Sequence, residues 1–113
     1  MEDKDIAARF LFLNMAIKNL ELDLQHIKNG PFKIKEPYLE LLEKAYSTAI
    51  NERGKLKRLM YNKKINIVST DRNNKFSYYK FSYNGIEEEQ TYYNHVIKKN
   101  VKEIIEGLIK EGN

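Results

Sequence analysis

Apolar residues recur along the first quarter of the chain with the spacing of a helix seam. Ile6, Phe10, Leu13, Ile17, Leu20, Leu24 and Ile27 follow at intervals of 4, 3, 4, 3, 4 and 3, which predicts a helix packed lengthwise on a partner. Asp3 or Asp5 can cap it, acidic side chains suit the positive end of its dipole, and Asn29-Gly30-Pro31 ends it. About 25 residues at 1.5 Å rise give roughly 37 Å. A second helix of similar length is expected from Pro37, a first-turn position where a missing N–H costs nothing, to about Asn62. Its apolar set is Leu42, Ala45, Ala49, Leu56 and Leu59, with Tyr46, Ile50 and Met60 beside it. The loop from Asn29 to Glu36 is short, so the two helices should be antiparallel neighbours over residues 3–62.

The first helix carries a second apolar face. Leu11, Phe12, Met15 and Leu22 fall roughly opposite the seam, so that side needs either the later elements or another protein. In the second case Leu11, Met15 and Leu22 would be a protein interface, with a homodimer as one form of it.

After residue 63 the period changes to two. Lys64 to Thr70 puts Ile65, Ile67 and Ser69 on one face and Asn66, Val68 and Thr70 on the other, the pattern of a short strand. Asp71-Arg72-Asn73-Asn74 is a turn cluster, and Phe76 to Tyr83 is an aromatic-rich second strand. Asn84-Gly85 signals a type I′ hairpin, whereas Glu87-Glu88-Glu89-Gln90 suits a helix start. A third strand from Ile86 to about Tyr92 is the preferred reading, followed by a helix over residues 93–110. The helix stripe is Tyr93, Ile97, Val101, Ile104 and Leu108, flanked by Val96, Ile105 and Ile109, with Gly107 weakening its final turns. The expected fold is α+β in a single domain over residues 1–113: a long antiparallel helical hairpin, a small antiparallel sheet of two or three strands over 64–92, and a C-terminal helix.

Composition narrows the function classes. The 113 residues are 42% hydrophobic and 32% charged, enough apolar mass for one core. The absence of cysteine excludes disulfides, thiolate metal sites and cysteine nucleophiles, and fits a reducing compartment. The start Met1-Glu2-Asp3-Lys4-Asp5 is acidic where a signal peptide would be basic, and the longest apolar run, Phe10 to Leu13, cannot span a bilayer. A cytoplasmic protein without membrane contact is therefore expected. Lys, Ile and Asn make up 40 of 113 residues, a bias typical of AT-rich coding sequence, as in low-GC bacteria, their phages and mobile elements.

The net charge of +4 conceals a partition. Residues 1–52 carry seven basic and nine acidic side chains, residues 53–84 carry nine and one, and residues 85–113 carry four and six. The densest block is Arg53, Lys55, Lys57, Arg58, Lys63 and Lys64, six cations in twelve residues without a carboxylate. Such a block is an electrostatic footprint for polyanions, because neutralising phosphates releases condensed counterions and needs no base contact. It is equally the pattern of a solvated helix face.

No sequence feature supports catalysis. Asp23 and His26 lie three apart, but two ligands do not make a metal site. His95 has no carboxylate orienter in its neighbourhood. Glu87, Glu88 and Glu89 are consecutive and point in different directions, so they read as solvated charge. There is no nucleophile elbow, phosphate-binding glycine loop or HExxH, and no cofactor is implied. Gly54 lies inside the second helix. A break there would leave a short basic helix before a β-hairpin, the arrangement of a winged-helix reader of DNA, although two long helices rather than three short ones precede the hairpin. In the second strand Phe76, Tyr78, Tyr79, Phe81 and Tyr83 fill five of eight positions. One sheet face should display Phe76 and Tyr78 beside Lys75 and Lys80, a pairing of ring and cation used in single-stranded nucleic-acid recognition and in protein hot spots.

The expected function is a non-enzymatic regulatory binding module for nucleic acid or a nucleoprotein. Arg53, Lys55, Lys57, Arg58, Lys63 and Lys64 would contact phosphates, Arg72, Lys75 and Lys80 would extend the track, and Tyr78 would stack. The rival is a protein-binding adaptor or inhibitor that uses the Leu11, Met15 and Leu22 face and surface tyrosines, the basic tract only steering an acidic partner.

Overall fold

A computed structural model describes residues 2–111. Two long helices, α1 (Asp3–Asn29) and α2 (Glu36–Lys63), form an antiparallel hairpin. Strands β1 (Asn66–Arg72), β2 (Phe76–Tyr83) and β3 (Ile86–Tyr93) follow as an antiparallel sheet in that order, and α3 (Asn94–Glu111) closes the chain. The fold is α+β, and its elements fall where the hydrophobic periods place them.

The seam of α1 is the centre of the core. Ile6, Leu13, Ile17 and Leu20 are almost fully buried with Ala45, Ala49, Leu56 and Met60 of α2, Ile65, and Leu108 of α3. The alanines let the helix axes approach closely. Leu59 does not join them: the step after Leu56 is four residues, to Met60, and Leu59 turns outward. The clasp between the helices is supplemented by a two-point ion pair, with Arg9 Nε donating to Glu52 Oε2 at 2.6 Å and Nη2 to Oε1 at 2.8 Å. Arg9 holds the Glu52 carboxyl below its ordinary range, chiefly through those hydrogen bonds.

The second face of α1 is covered from within. Phe12, Ala16 and Val101 form a smaller cluster against which Leu11, Met15, Tyr92 and Ile97 pack, and Phe12 meets Tyr92 edge-on at 5.2 Å. Of the expected protein-interface residues, only Leu22 stands exposed.

Local devices set the joints. Neither Asp3 nor Asp5 caps α1: its N-cap is Glu2, without a side-chain bond, and Asp3 instead meets Lys63 at 3.5 Å and accepts from Asn84 Nδ2 at 3.4 Å. Gly30 is the C-cap of α1, where the backbone turns extended, and a Cβ there would come within 2.6 Å of the His26 carbonyl oxygen, so the position favours glycine. Pro37 lies in the first turn of α2, as expected. At the other end Lys64 takes the left-handed conformation (φ 57°, ψ 44°) and its N–H bonds the Tyr61 carbonyl, while Ile65 N–H bonds that of Met60. This is a Schellman closure, with Ile65 and Met60 supplying its hydrophobic contact. Asn84 (φ 51°) and Gly85 (φ 73°) make the type I′ turn, so the acidic run Glu87 to Glu89 belongs to β3 and not to a helix.

Tyr93 ends β3 rather than opening the α3 stripe, and its ring lies 4.7 Å from Phe76 on the outer face of the sheet. α3 runs through Gly107 to Glu111.

Candidate nucleic-acid interface

Helix α2 continues unbroken through Gly54, where a Cβ would meet nothing within 4 Å. The winged-helix arrangement is thereby removed, and the basic tract lies on one continuous helix and its C-cap. With about 100° per residue, Lys57, Tyr61 and Arg58 fall within an arc of about 100° on the solvent side, and Lys55 lies about 60° beyond Arg58. All four are exposed, Tyr61 to 85%.

The six cations divide into two groups. Arg53 bends toward α1, where Nη1 donates to Asn14 Oδ1 at 3.4 Å, and Lys63 pairs with Asp3. Lys55, Lys57, Arg58 and Lys64 have no ion-pair partner among the described residues. Asp3 is taken up by Lys63 itself. Lys4 pairs with Glu88, which also accepts from the Tyr83 hydroxyl, and these contacts lower the Glu88 carboxyl and raise the Tyr83 phenol. The unpaired cations thus stand in a field their neighbours do little to cancel.

The residues expected to lengthen this track do not lie along it. Arg72 and Lys75 are at the far end of the β1–β2 hairpin, with Arg72 about 20 Å along β1 from its start at Asn66 at 3.3 Å per residue. Lys80 is on the outer sheet face, 3.6 Å from Glu87 and opposite Glu89 in the register. Phe76 and Tyr78 do share that face with Lys80, as expected, but they are half-buried. Phe76 packs on Tyr78 and Tyr93, Lys75 Nζ sits 5.9 Å from the Phe76 ring centre, and Tyr78 is paired across the strands with Asp71 and Thr91. The ring that accompanies the basic tract is Tyr61, which sequence reasoning passed over. Its signal was available: it lies three residues after Arg58 and two before Lys63, off the apolar seam.

A second exposed region lies at the hairpin tip, where Leu22, Phe32, Ile34 and Tyr38 are 53%, 47%, 66% and 54% exposed. No group of three or more His, Asp or Glu side chains that could hold a metal ion occurs among the described residues, and no described helix is long and apolar enough to cross a membrane.

The model of one protein family, described as YhjD protein, matches residues 1–113. A relative from Bacillus subtilis (strain 168), described as uncharacterized protein YhjD, is 33% identical over 101 residues, covering 89% of this chain and 84% of its own length. No solved structure matches.

Proposed function

The chain belongs to the YhjD protein family, and from that premise we propose that it is a small non-enzymatic regulatory protein of the cytoplasm that docks onto nucleic acid or a nucleoprotein through the outer face of α2. The observation that carries this reading is the unpaired set Lys55, Lys57, Arg58 and Lys64 around exposed Tyr61, on a helix surface with no carboxylate from residue 53 to 64. A straight helix presents such a row to a phosphate backbone at fixed spacing, and the tyrosine adds a ring that can stack on a base or lie against a sugar. The cysteine-free composition fits a reducing compartment.

Fluorescence anisotropy with duplex and single-stranded oligonucleotides across a salt series tests the reading. Neutralising about four phosphates gives a log–log slope of about −3.6 for duplex, a loss of affinity of about a hundredfold between 50 and 200 mM salt. Lys57→Glu with Arg58→Glu should abolish binding without shifting the unfolding midpoint, because both side chains are exposed and make no bond within the fold. Binding by that variant equal to the parent protein's would overturn the assignment.

The adaptor reading draws its support from the hairpin tip and not from Leu11 and Met15, which are partly buried against Phe12, Ala16 and Val101.

A further inference from the structure

The end of the sheet remote from Lys64 holds a second basic feature, independent of the α2 surface. A cleft of about 570 Å³ opens between α1, the β1–β2 turn and the start of α3. Lys18 enters it from α1, Arg72 from β1, and His95 and Lys98 from α3, and no carboxylate lines it. Five cations among the described residues are ion-paired: Lys4 with Glu88, Arg9 with Glu52, Lys63 with Asp3, Lys80 with Glu87 and Lys102 with Glu106. Lys18, Arg72 and Lys98 have no such partner among the described residues, although three separate elements bring them to one place.

The cleft has a built floor. Asn94 ties its walls together: its N–H bonds the Lys75 carbonyl at 2.9 Å, its Nδ2 donates to the Asn73 carbonyl at 3.0 Å, and its Oδ1 accepts from the buried Ser77 hydroxyl at 2.6 Å. Asn73 Oδ1 in turn accepts the N–H of Lys75 and of Phe76. The turn that carries Arg72 is therefore ordered before any ligand arrives, and little conformational entropy is left to lose on binding. Tyr79 also lines the cleft. Its ring is largely buried, and its hydroxyl, which makes no hydrogen bond to a described residue, is open to solvent. An oxyanion in the cleft would take the place of water on that hydroxyl.

We propose that this cleft binds a small phosphoanhydride, a molecule bearing two or more linked phosphates. Its volume is that of a small-molecule site. Arg72 offers a planar fork to one phosphate, Lys18 and Lys98 offer point charges to the next, and the Tyr79 hydroxyl donates from the floor.

Isothermal titration with inorganic pyrophosphate tests this on the full chain. One saturable site per chain is expected. Arg72→Ala with Lys98→Ala should weaken it at least tenfold, the loss of one or more charge-assisted hydrogen bonds, and Tyr79→Phe should weaken it several-fold. Arg72→Lys with Lys98→Arg, which keeps both charges, should recover most of the affinity and shows that the alanine variant fails through charge and not through folding. Lys57→Glu with Arg58→Glu should leave pyrophosphate binding unchanged, and the cleft variants should leave oligonucleotide binding unchanged. The absence of saturable binding by the parent protein would overturn the proposal, as would equal affinity in the alanine variant, or loss of oligonucleotide binding alone when the cleft is altered. The α2 reading survives any of these results.

Discussion

Lys64 occupies a backbone conformation that glycine adopts at no steric cost and lysine does not, with φ at 57° where α2 closes. A left-handed non-glycine residue costs roughly 1–2 kcal/mol, and it sits within the basic tract. Lys64→Gly should therefore stabilise the fold by about 1 kcal/mol, visible as a higher urea midpoint, while lowering oligonucleotide affinity by the share of one phosphate contact. A glycine variant that is both less stable and equally tight would refute that assignment. Arg9 and Glu52 give a residue-scale prediction with a pH signature. Because Arg9 lowers the folded-state pKa of Glu52, chiefly through its hydrogen bonds, their pairing contributes stability above the unfolded glutamate range, ~4.3, and loses it as pH falls through the lower folded value. Each side chain is about a third exposed, so the contribution is discounted to about 1 kcal/mol. Glu52→Gln should cost that much in urea unfolding at pH 7 and nothing measurable at pH 2, where both proteins carry a neutral side chain. This clasp was not legible in the sequence, since it joins residues 43 apart on faces whose rotation only packing fixes.

At the scale of elements, helix seams and strand periods were legible because burial forces them: one face of α1 at intervals of three and four, and alternate residues of β2. The errors sit where one period hands over to another. Tyr93 continues the α3 stripe in sequence but belongs to the last position of β3, and its ring goes to the outer face with Phe76. Leu59 and Met60 are both apolar, and helix rotation alone decides which is buried. The second face of α1, Leu11 with Met15, could be read as surplus because the sequence shows that a face needs cover without showing what covers it. Arg72 is the most instructive case. Simple alternation from Ile65, Ile67 and Ser69 would place Asp71 inside and Arg72 outside, but the register shifts between Ser69 and Asp71. Asp71 then opposes Tyr78 on the outer face, and Arg72 opposes Ser77 on the inner one. One extra residue, Thr70, whose hydroxyl bonds the Tyr78 carbonyl at 3.2 Å, swings a cation from the supposed outer track into the cleft. A bulge leaves no compositional trace that would have revealed this.

The whole molecule is long and thin, with extents of 53 × 33 × 19 Å. The hairpin tip, with Phe32 and Tyr38 6.3 Å apart, stands at the end of the two longest helices. If the rival adaptor reading holds, Phe32→Ser with Ile34→Ser should remove partner capture or self-association, followed by light scattering against concentration, and leave oligonucleotide affinity as it was. A change in oligonucleotide affinity instead would assign the tip to the same surface as α2. The sheet has two open edges, β1 and β3. An edge strand is a template on which another chain can pair, and a run such as Asn66-Ile67-Val68-Ser69 has the composition to do so. On β3 the Glu87, Glu88 and Glu89 run puts like charge along any approaching copy, while on β1 the bulge at Thr70 breaks the ladder that a stacked strand would need. The irregularity that aims Arg72 inward also cuts short the regular edge of β1, so that a further strand laid on it would meet an even ladder only over Asn66 to Ser69.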